Sequence, residues 1–194
     1  GYNSHSGFRD AFAKTFGEAP GKSRGADCIV TAWVESPFGP FLAAATSGGV
    51  CLLEFTDRRR LDLQFSRLRK YFQCSIVPGE NNHIVQLKNE LEEYFAGKRK
   101  RFTVKLFHPG TAFEQKVWNV LLTIPYGSTV SYEDIAKNIG SPGASRAVGR
   151  ANGFNRISIV IPCHRVIHKN GELGGYGGGL WRKKMLLSLE EGNR

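Results

Sequence analysis

Residues 157–165, with the sequence ISIVIPCHR, place an apolar run directly before a cysteine and a histidine. The apolar run predicts a buried strand. Proline cannot continue the hydrogen bonding of a strand, so this strand is predicted to end at Pro162. Cys163 would then be held at the end of a rigid element, with the imidazole of His164 beside it.

A cysteine next to a histidine suggests a nucleophile. A thiol attacks strongly only after it loses its proton, and a nearby imidazole can remove that proton. The alternative is an inert buried Cys163 beside a surface His164. The pair alone does not decide between a nucleophilic and an inert Cys163, so the rest of the sequence has to be considered.

Composition limits the class of protein. The 194 residues suffice for one large or two small domains, and the hydrophobic fraction of 41% is typical of globular proteins. Lys and Arg number 27 against 17 Asp and Glu, a net charge of +10. This surplus favours a polyanionic partner, nucleic acid first, over the alternative of a merely solvated basic surface.

The sequence predicts a cytoplasmic protein without a membrane segment. No apolar run is long enough to span a bilayer, and no signal peptide pattern opens the chain. The cysteines are Cys28, Cys51, Cys74 and Cys163. They lack C-x-x-C spacing and a zinc signature, so free thiols in a reducing compartment are expected, with no metal and no cofactor.

Residues 1–24 form a separate segment with a helical pattern. Three phenylalanines share one helical face: Phe8, Phe12 and Phe16. The segment resembles the last helix and tail of an AraC-type helix-turn-helix domain, whose other helices are absent. An amphipathic helix unrelated to that family is the alternative.

Residues 25–108 predict a compact mixed α/β domain. The expected strands cover 28–34, 41–46, 50–55 and 102–106, and the expected helices cover 61–72 and 84–95. Gly97 is expected to end the second helix. No catalytic set of residues is found in this half.

Residues 109–194 predict a mostly helical domain that contains a helix-turn-helix. A helix is expected over 113–124, and the S-x-x-D pattern at 131–134 predicts the start of another. A second short helix is expected over 142–152, with Pro142 at its first position. Its small residues allow close approach to a DNA groove or, alternatively, to the protein's own core.

The end of the chain carries a glycine-rich loop and a helix. Residues 174–179 read GGYGGG, which can lie against a flat ligand and leave backbone N–H groups free to donate. The final helix follows, and Glu190 lies near its end.

Several segments together resemble the O6-alkylguanine-DNA alkyltransferase family. The matching segments are GTAF at 110–113, VW at 117–118, VSY at 130–132, SRAVG at 145–149, PCHR at 162–165 and GYGGG at 175–179. They follow the family's order and spacing over roughly residues 27 to 190. With residues 1–24, the chain resembles the C-terminal part of an Ada-type adaptive-response regulator.

The resemblance implies an α+β fold and single-turnover DNA repair. A small ribonuclease H-like domain would precede the mostly helical domain with the reactive cysteine. Cys163 would accept a methyl group from O6-alkylguanine, and from O4-methylthymine, in double-stranded DNA. His164 would take the thiol proton through a bridging water, Glu190 would hold His164, and Asn155 would order the hinge before the cysteine.

The resemblance also implies which residues bind the flipped base and the minor groove. Tyr132 would donate a hydrogen bond to the flipped guanine. The pocket for this base would be lined by Val166, Tyr176, Gly177 and Ser158. Arg146 would fill the hole left by the flipped base. The other expected DNA contacts are Ser145, Ala147, Gly149, Arg150 and Lys169. A monomer is expected.

Two positions depart from the family pattern. Many members carry serine where this chain has Gly177, so a backbone N–H must replace that hydroxyl. Ser158 stands where many members have proline, which makes the pocket roomier. A non-catalytic lesion sensor or a regulator fragment is the alternative function, with a thiol hydrolase third.

Overall fold

The computed structural model describes residues 28–59 and 61–193, so the helix predicted within residues 1–24 lies outside that part of the chain. Its first half is built on a four-stranded sheet in the order β3-β2-β1-β4. The strands are β1 (Ile29–Val34), β2 (Phe41–Thr46), β3 (Gly49–Phe55) and β4 (Ile76–Pro78). The first three form an antiparallel meander, and β4 joins β1 in parallel. The strands predicted over 41–46 and 50–55 are confirmed as β2 and β3.

Two predicted helices cover the two faces of this sheet. Helix α1 (Leu61–Phe72) buries Phe65 and Leu68 in a cluster with Leu52. Helix α2 (Asn82–Phe95) packs against β2 and β3 from the other face. Every residue of β2 and β3 is buried, as expected for strands covered on both sides. Gly97, with a φ of 72°, follows the end of α2 as predicted.

The second half is mostly helical. Its helices are α3 (Ala112–Leu121), α4 (Tyr132–Asn138), α5 (Ser145–Gly153) and α6 (Leu180–Gly192). Two short strands, β5 (Val130–Ser131) and β6 (Val166–Ile167), pair in parallel beside them. An α+β fold with the sheet first is thus confirmed. Within the described residues, no helix combines the length and apolarity needed to cross a membrane.

The predicted start of α4 is confirmed by its side-chain hydrogen bonds. Ser131 Oγ accepts from the Asp134 amide at 3.1 Å, and the Asp134 carboxylate accepts from the Ser131 amide at 3.2 Å. This capping box satisfies donors that the first helical turn leaves free.

The predicted start of α5 was wrong. The helix begins at Ser145 rather than at Pro142. Gly143 has a φ of 91°, and the Ala144 amide closes a turn onto the Ser141 carbonyl at 3.1 Å. Since a left-handed residue cannot lie within a right-handed helix, Pro142 belongs to the connecting turn.

The strand predicted at 157–161 was also wrong. Only Ile157 forms a bridge, to Leu53 of β3, and the Ile161 amide closes a turn onto the Ile157 carbonyl at 3.0 Å. Ile159 has a φ of 70°, which no strand accommodates. A buried turn and a buried strand need the same apolar residues, and periodicity does not separate them. The strand predicted over 102–106 likewise reduces to one bridge, between Leu106 and Val50.

One hydrophobic core joins the two halves. The same cluster of buried side chains holds Phe41 and Phe55 from the sheet together with Trp118 and Ile161 from the helical half. Arg182 of α6 adds a polar tie across the boundary. It donates to both carboxylate oxygens of Asp57, at 2.8 and 2.9 Å. The helical half is therefore positioned by the sheet.

Candidate active site

Cys163 begins a short 3₁₀ helix, Cys163–Arg165, with only 8% of its surface exposed. Its Sγ accepts a hydrogen bond from Asn155 Nδ2 at 3.1 Å. The same Asn155 amide group donates to the Ile161 carbonyl at 2.9 Å, and its oxygen accepts from the Ile157 amide at 3.0 Å. Asn155 therefore holds both ends of the turn that leads to the cysteine.

The Cys163 thiol needs help to lose its proton. Burial raises its pKa above the ordinary value, and the hydrogen bond from Asn155 offsets only part of this effect. A buried thiolate is disfavoured because it has lost solvation by water. A base close to the sulfur is therefore required for nucleophilic chemistry at neutral pH.

His164 and Glu190 lie behind the cysteine as a fully buried pair. His164 Nε2 is 2.8 Å from Glu190 Oε1, and neither side chain is exposed to solvent. Burial lowers the pKa of His164, against the pull of Glu190, so the imidazole is neutral. Burial also disfavours the Glu190 carboxylate, but hydrogen bonds from His164 and Arg165 hold its pKa well below the ordinary range.

The protonation states define the tautomer of His164. A neutral ring facing an ionised carboxylate carries its hydrogen on Nε2 and donates it to Glu190. The lone pair then lies on Nδ1. This atom is buried and has no hydrogen-bond partner within 28–59 and 61–193. His164 can therefore accept a proton at Nδ1.

Three residues that complete this site had no predicted role. Arg165 binds Glu190 through Nε and Nη2, at 2.8 and 2.9 Å, and Tyr94 of α2 donates to it at 2.7 Å. Lys183 is fully buried and donates to the Val166 carbonyl at 2.6 Å. Burial lowers the pKa of Lys183 to about 8. Only Arg165 lay in a recognised motif, and nothing in the sequence pairs the other two with the site.

A cavity of about 440 Å³ opens onto Cys163. The predicted site residues that line it are Tyr132, Ser145, Arg146, Gly149, Cys163, Lys169, Tyr176 and Gly177. Ser158 and Val166 are instead buried behind its wall, exposed by 3% and 0%. Ala147 and Arg150 lie exposed on α5, outside the lining. The structure thus gathers most, but not all, of the predicted residues around one opening.

Tyr132 stands between α5 and the glycine-rich loop. Gly174 has a φ of 65°, and a Cβ there would lie 2.9 Å from the Tyr132 hydroxyl. The carbons of the Tyr132 ring come within 3.7 Å of a Cβ built on Gly149. Burial raises the pKa of Tyr132, so its hydroxyl keeps its proton and can donate a hydrogen bond.

This geometry defines a class of protein in which a buried cysteine, backed by a histidine and a carboxylate, acts as a nucleophile toward a group held in the cavity. The cavity borders α5, where Arg146 and Arg150 are exposed. Within the described residues, no group of three or more potential metal ligands is found.

The chain belongs to the 6-O-methylguanine DNA methyltransferase family. The family's ribonuclease-like domain matches residues 29–107, and its DNA binding domain matches residues 112–192. The methylated-DNA–protein-cysteine methyltransferase of Mycobacterium tuberculosis is 48% identical over 158 residues, covering 81% of this chain and 90% of the relative. That of Methanosarcina acetivorans is 46% identical over 158 residues, covering 80% and 94%.

Solved structures agree with this assignment. The crystal structure of the M. tuberculosis O6-methylguanine methyltransferase has a TM-score of 0.73 at 42% identity, covering 86% of this chain and 94% of that one. The structure of M. tuberculosis OGT in complex with DNA has a TM-score of 0.72 at 41% identity, with the same coverage.

Proposed function

We infer that the protein repairs DNA by moving an alkyl group from O6 of guanine to Sγ of Cys163. The observation that carries this inference is the chain of buried groups behind the sulfur, in which Glu190 holds a neutral His164 with Nδ1 free to accept a proton. Family membership and the DNA complex of a relative support the substrate.

The transfer is a displacement at the alkyl carbon. The sulfur forms a bond to that carbon, the bond from the carbon to O6 breaks, and its electron pair passes to the guanine. His164 Nδ1 takes the thiol proton through a bridging water, because within the described residues Nδ1 makes no direct hydrogen bond, to Sγ or to any other group. Tyr132 donates to the base as negative charge develops on it. The thioether product is not hydrolysed, so each molecule acts once.

The base reaches the sulfur only after it leaves the DNA stack, at a cost of a few kcal/mol. Helix α5 offsets this cost from the minor groove, where Arg146 fills the hole and exposed cations contact phosphates. The small residues Ser145, Ala147 and Gly149 let the helix backbone approach the groove. Because the minor groove carries a degenerate code, weak sequence preference is expected. O4-methylthymine can transfer its methyl group to Cys163 by the same displacement.

Intact-mass spectrometry tests the function directly. Reduced protein is mixed with duplex DNA containing one O6-methylguanine, and peptide mapping locates the gained methyl group. One methyl on Cys163 is expected. Cys163→Ser is the matched variant, expected to bind the same DNA without gaining a methyl. Modification of Cys28, Cys51 or Cys74 instead, or transfer by Cys163→Ser, would contradict the assignment.

The origin of residues 1–24, the domain limits, the oligomeric state and the cellular location are inferred mainly from the sequence. We propose that residues 1–24 derive from an AraC-type domain of an Ada-type regulator, that 25–108 and 109–194 form the two alkyltransferase domains, and that the protein acts as a cytoplasmic monomer. The resemblance of residues 1–24 supports the first point, and the limits of the two family matches support the second. The need for a reduced thiol supports the location.

A further inference from the structure

Arg58 is a buried arginine that the mechanism above does not use. It follows β3 in the sheet half of the protein, and its side chain is only 8% exposed. It forms an ion pair with Glu54 of β3, whose side chain is fully buried. A guanidinium group placed this deeply is held in a defined orientation because each of its partners is fixed.

The other partners of Arg58 belong to the helical half. Its Nη2 donates to the Gly153 carbonyl at 2.7 Å, and its Nη1 donates to the Asn155 carbonyl at 3.1 Å. Gly153 is the last residue of α5, where free carbonyls carry partial negative charge and favour a cation. Asn155 is the residue that holds Sγ of Cys163. Arg58 therefore ties the end of α5 and the hinge to the sheet.

The same guanidinium group lies against the glycine-rich loop. A Cβ built on Gly177 would be 2.8 Å from Cζ of Arg58, 3.0 Å from Nη2 and 3.1 Å from Nε. Because Cζ is the nearest of the three atoms, the plane of the group faces Gly177. Gly153 and Gly177 both line the cavity that opens onto Cys163. One side chain thus braces two walls of this cavity from behind.

We propose that Arg58, oriented by Glu54, is a positioning residue for the transfer: it sets the spacing between α5 and the Gly177 loop, and it requires glycine at position 177. The proposal rests on the function proposed above and adds a determinant contributed by the sheet half. It also explains the departure at 177, because a serine side chain there would overlap the guanidinium group. Arg58 cannot move aside freely, since its ion pair and both carbonyl contacts would be lost.

A double-mutant cycle tests this coupling. Single-turnover transfer rates at saturating O6-methylguanine duplex are measured for the wild type, Arg58→Ala, Gly177→Ser and the double variant. Each single change is expected to slow transfer about tenfold, the factor for losing one hydrogen bond of a charged group. The double variant should be no slower than Arg58→Ala, because the serine then meets no guanidinium group. Arg59→Ala, which removes the same charge from an exposed neighbour, should stay within about twofold of the wild type.

Further measurements separate positioning from loss of folding. DNA affinity, measured with unmethylated duplex, should change less than about twofold in all variants, so that the effect falls on the rate at saturation. Rates are compared well below each melting temperature, and Arg58→Lys replaces Arg58→Ala in the cycle if the alanine variant does not fold. Additive losses, or a Gly177→Ser protein as fast as the wild type, would overturn the proposal. A wild type that transfers no methyl group would overturn the proposed function instead.

Discussion

Replacing Glu190 by glutamine should damage both stability and methyl transfer, because this carboxylate accepts five hydrogen bonds. Oε1 accepts from His164, Tyr94 and Arg165 Nη2, and Oε2 accepts from Arg165 Nε and the Gly127 amide. A glutamine keeps one oxygen. Its best orientation retains the three bonds at Oε1 and turns an amide donor toward the two remaining donors.

The size of the stability loss follows from the groups left without partners. Arg165 is 6% exposed and loses its counter-charge, and breaking a buried ion pair by removing one partner costs about 3–5 kcal/mol. Urea unfolding should therefore show Glu190→Gln less stable by about that amount. Glu191→Gln is the matched control, since its side chain is exposed on the same helix, and it should lie within about 0.5 kcal/mol of the wild type.

The same substitution should slow methyl transfer by about a hundredfold, the lower range for losing an oriented general base. A neutral amide still accepts from Nε2 and preserves the tautomer, but it does not stabilise the imidazolium that forms when Nδ1 takes the thiol proton. The assay is single-turnover transfer at saturating duplex, at a temperature where the variant is folded. A Glu190→Gln protein with the same free energy of unfolding as the wild type, or with the wild-type transfer rate, would refute the reasoning about this carboxylate.

Two further predictions concern the proton acceptor His164 and the DNA-facing helix α5. Burial lowers the pKa of His164 below its ordinary value of 6.5, so its imidazole stays neutral at pH 6.5. The rate of methyl transfer at saturating DNA should therefore be constant from pH 8 to 6.5 and fall only at lower pH. A midpoint above pH 6.5 in the measured pH profile would contradict this. Arg146→Ala should slow repair of duplex DNA about tenfold while leaving methyl transfer from the free O6-methylguanine base unchanged, because only the duplex leaves a hole to fill. Equal losses on both substrates would argue against insertion.

The elements that the sequence predicted correctly are those with local signals. The capping box of Ser131 and Asp134 lies within four residues, and the glycine after α2 follows the last apolar residue of its helix. Such signals depend on neighbours in the chain, so they survive whatever packs around them. The segment at 157–161 shows the opposite case. Its apolar character reports burial, whereas the φ of Ile159 is imposed by the contacts of the folded chain.

Residues of the site could be predicted only where they belong to a recognised sequence motif. Cys163 and His164 are adjacent, and the resemblance supplied Glu190 and Asn155. Tyr94 reaches Glu190 across 96 positions of sequence, and Arg58 reaches Gly153 across 95. No periodicity or turn signal links residues so far apart, because these contacts form only after both halves pack together. The same limit explains why Ser158 and Val166 were expected at the cavity surface and lie behind it.

These long-range contacts give the sheet half a part in the chemistry. Tyr94 of α2 donates to the carboxylate that orients the base, and Arg58 holds the hinge carbonyl of the residue that binds the sulfur. The positions of Cys163 and His164 therefore depend on how the sheet packs against the helical half, although neither residue belongs to the sheet. The short 3₁₀ turn that presents the buried thiol has few hydrogen bonds of its own. Its geometry has to be imposed from outside, and the shared core with its polar ties does so.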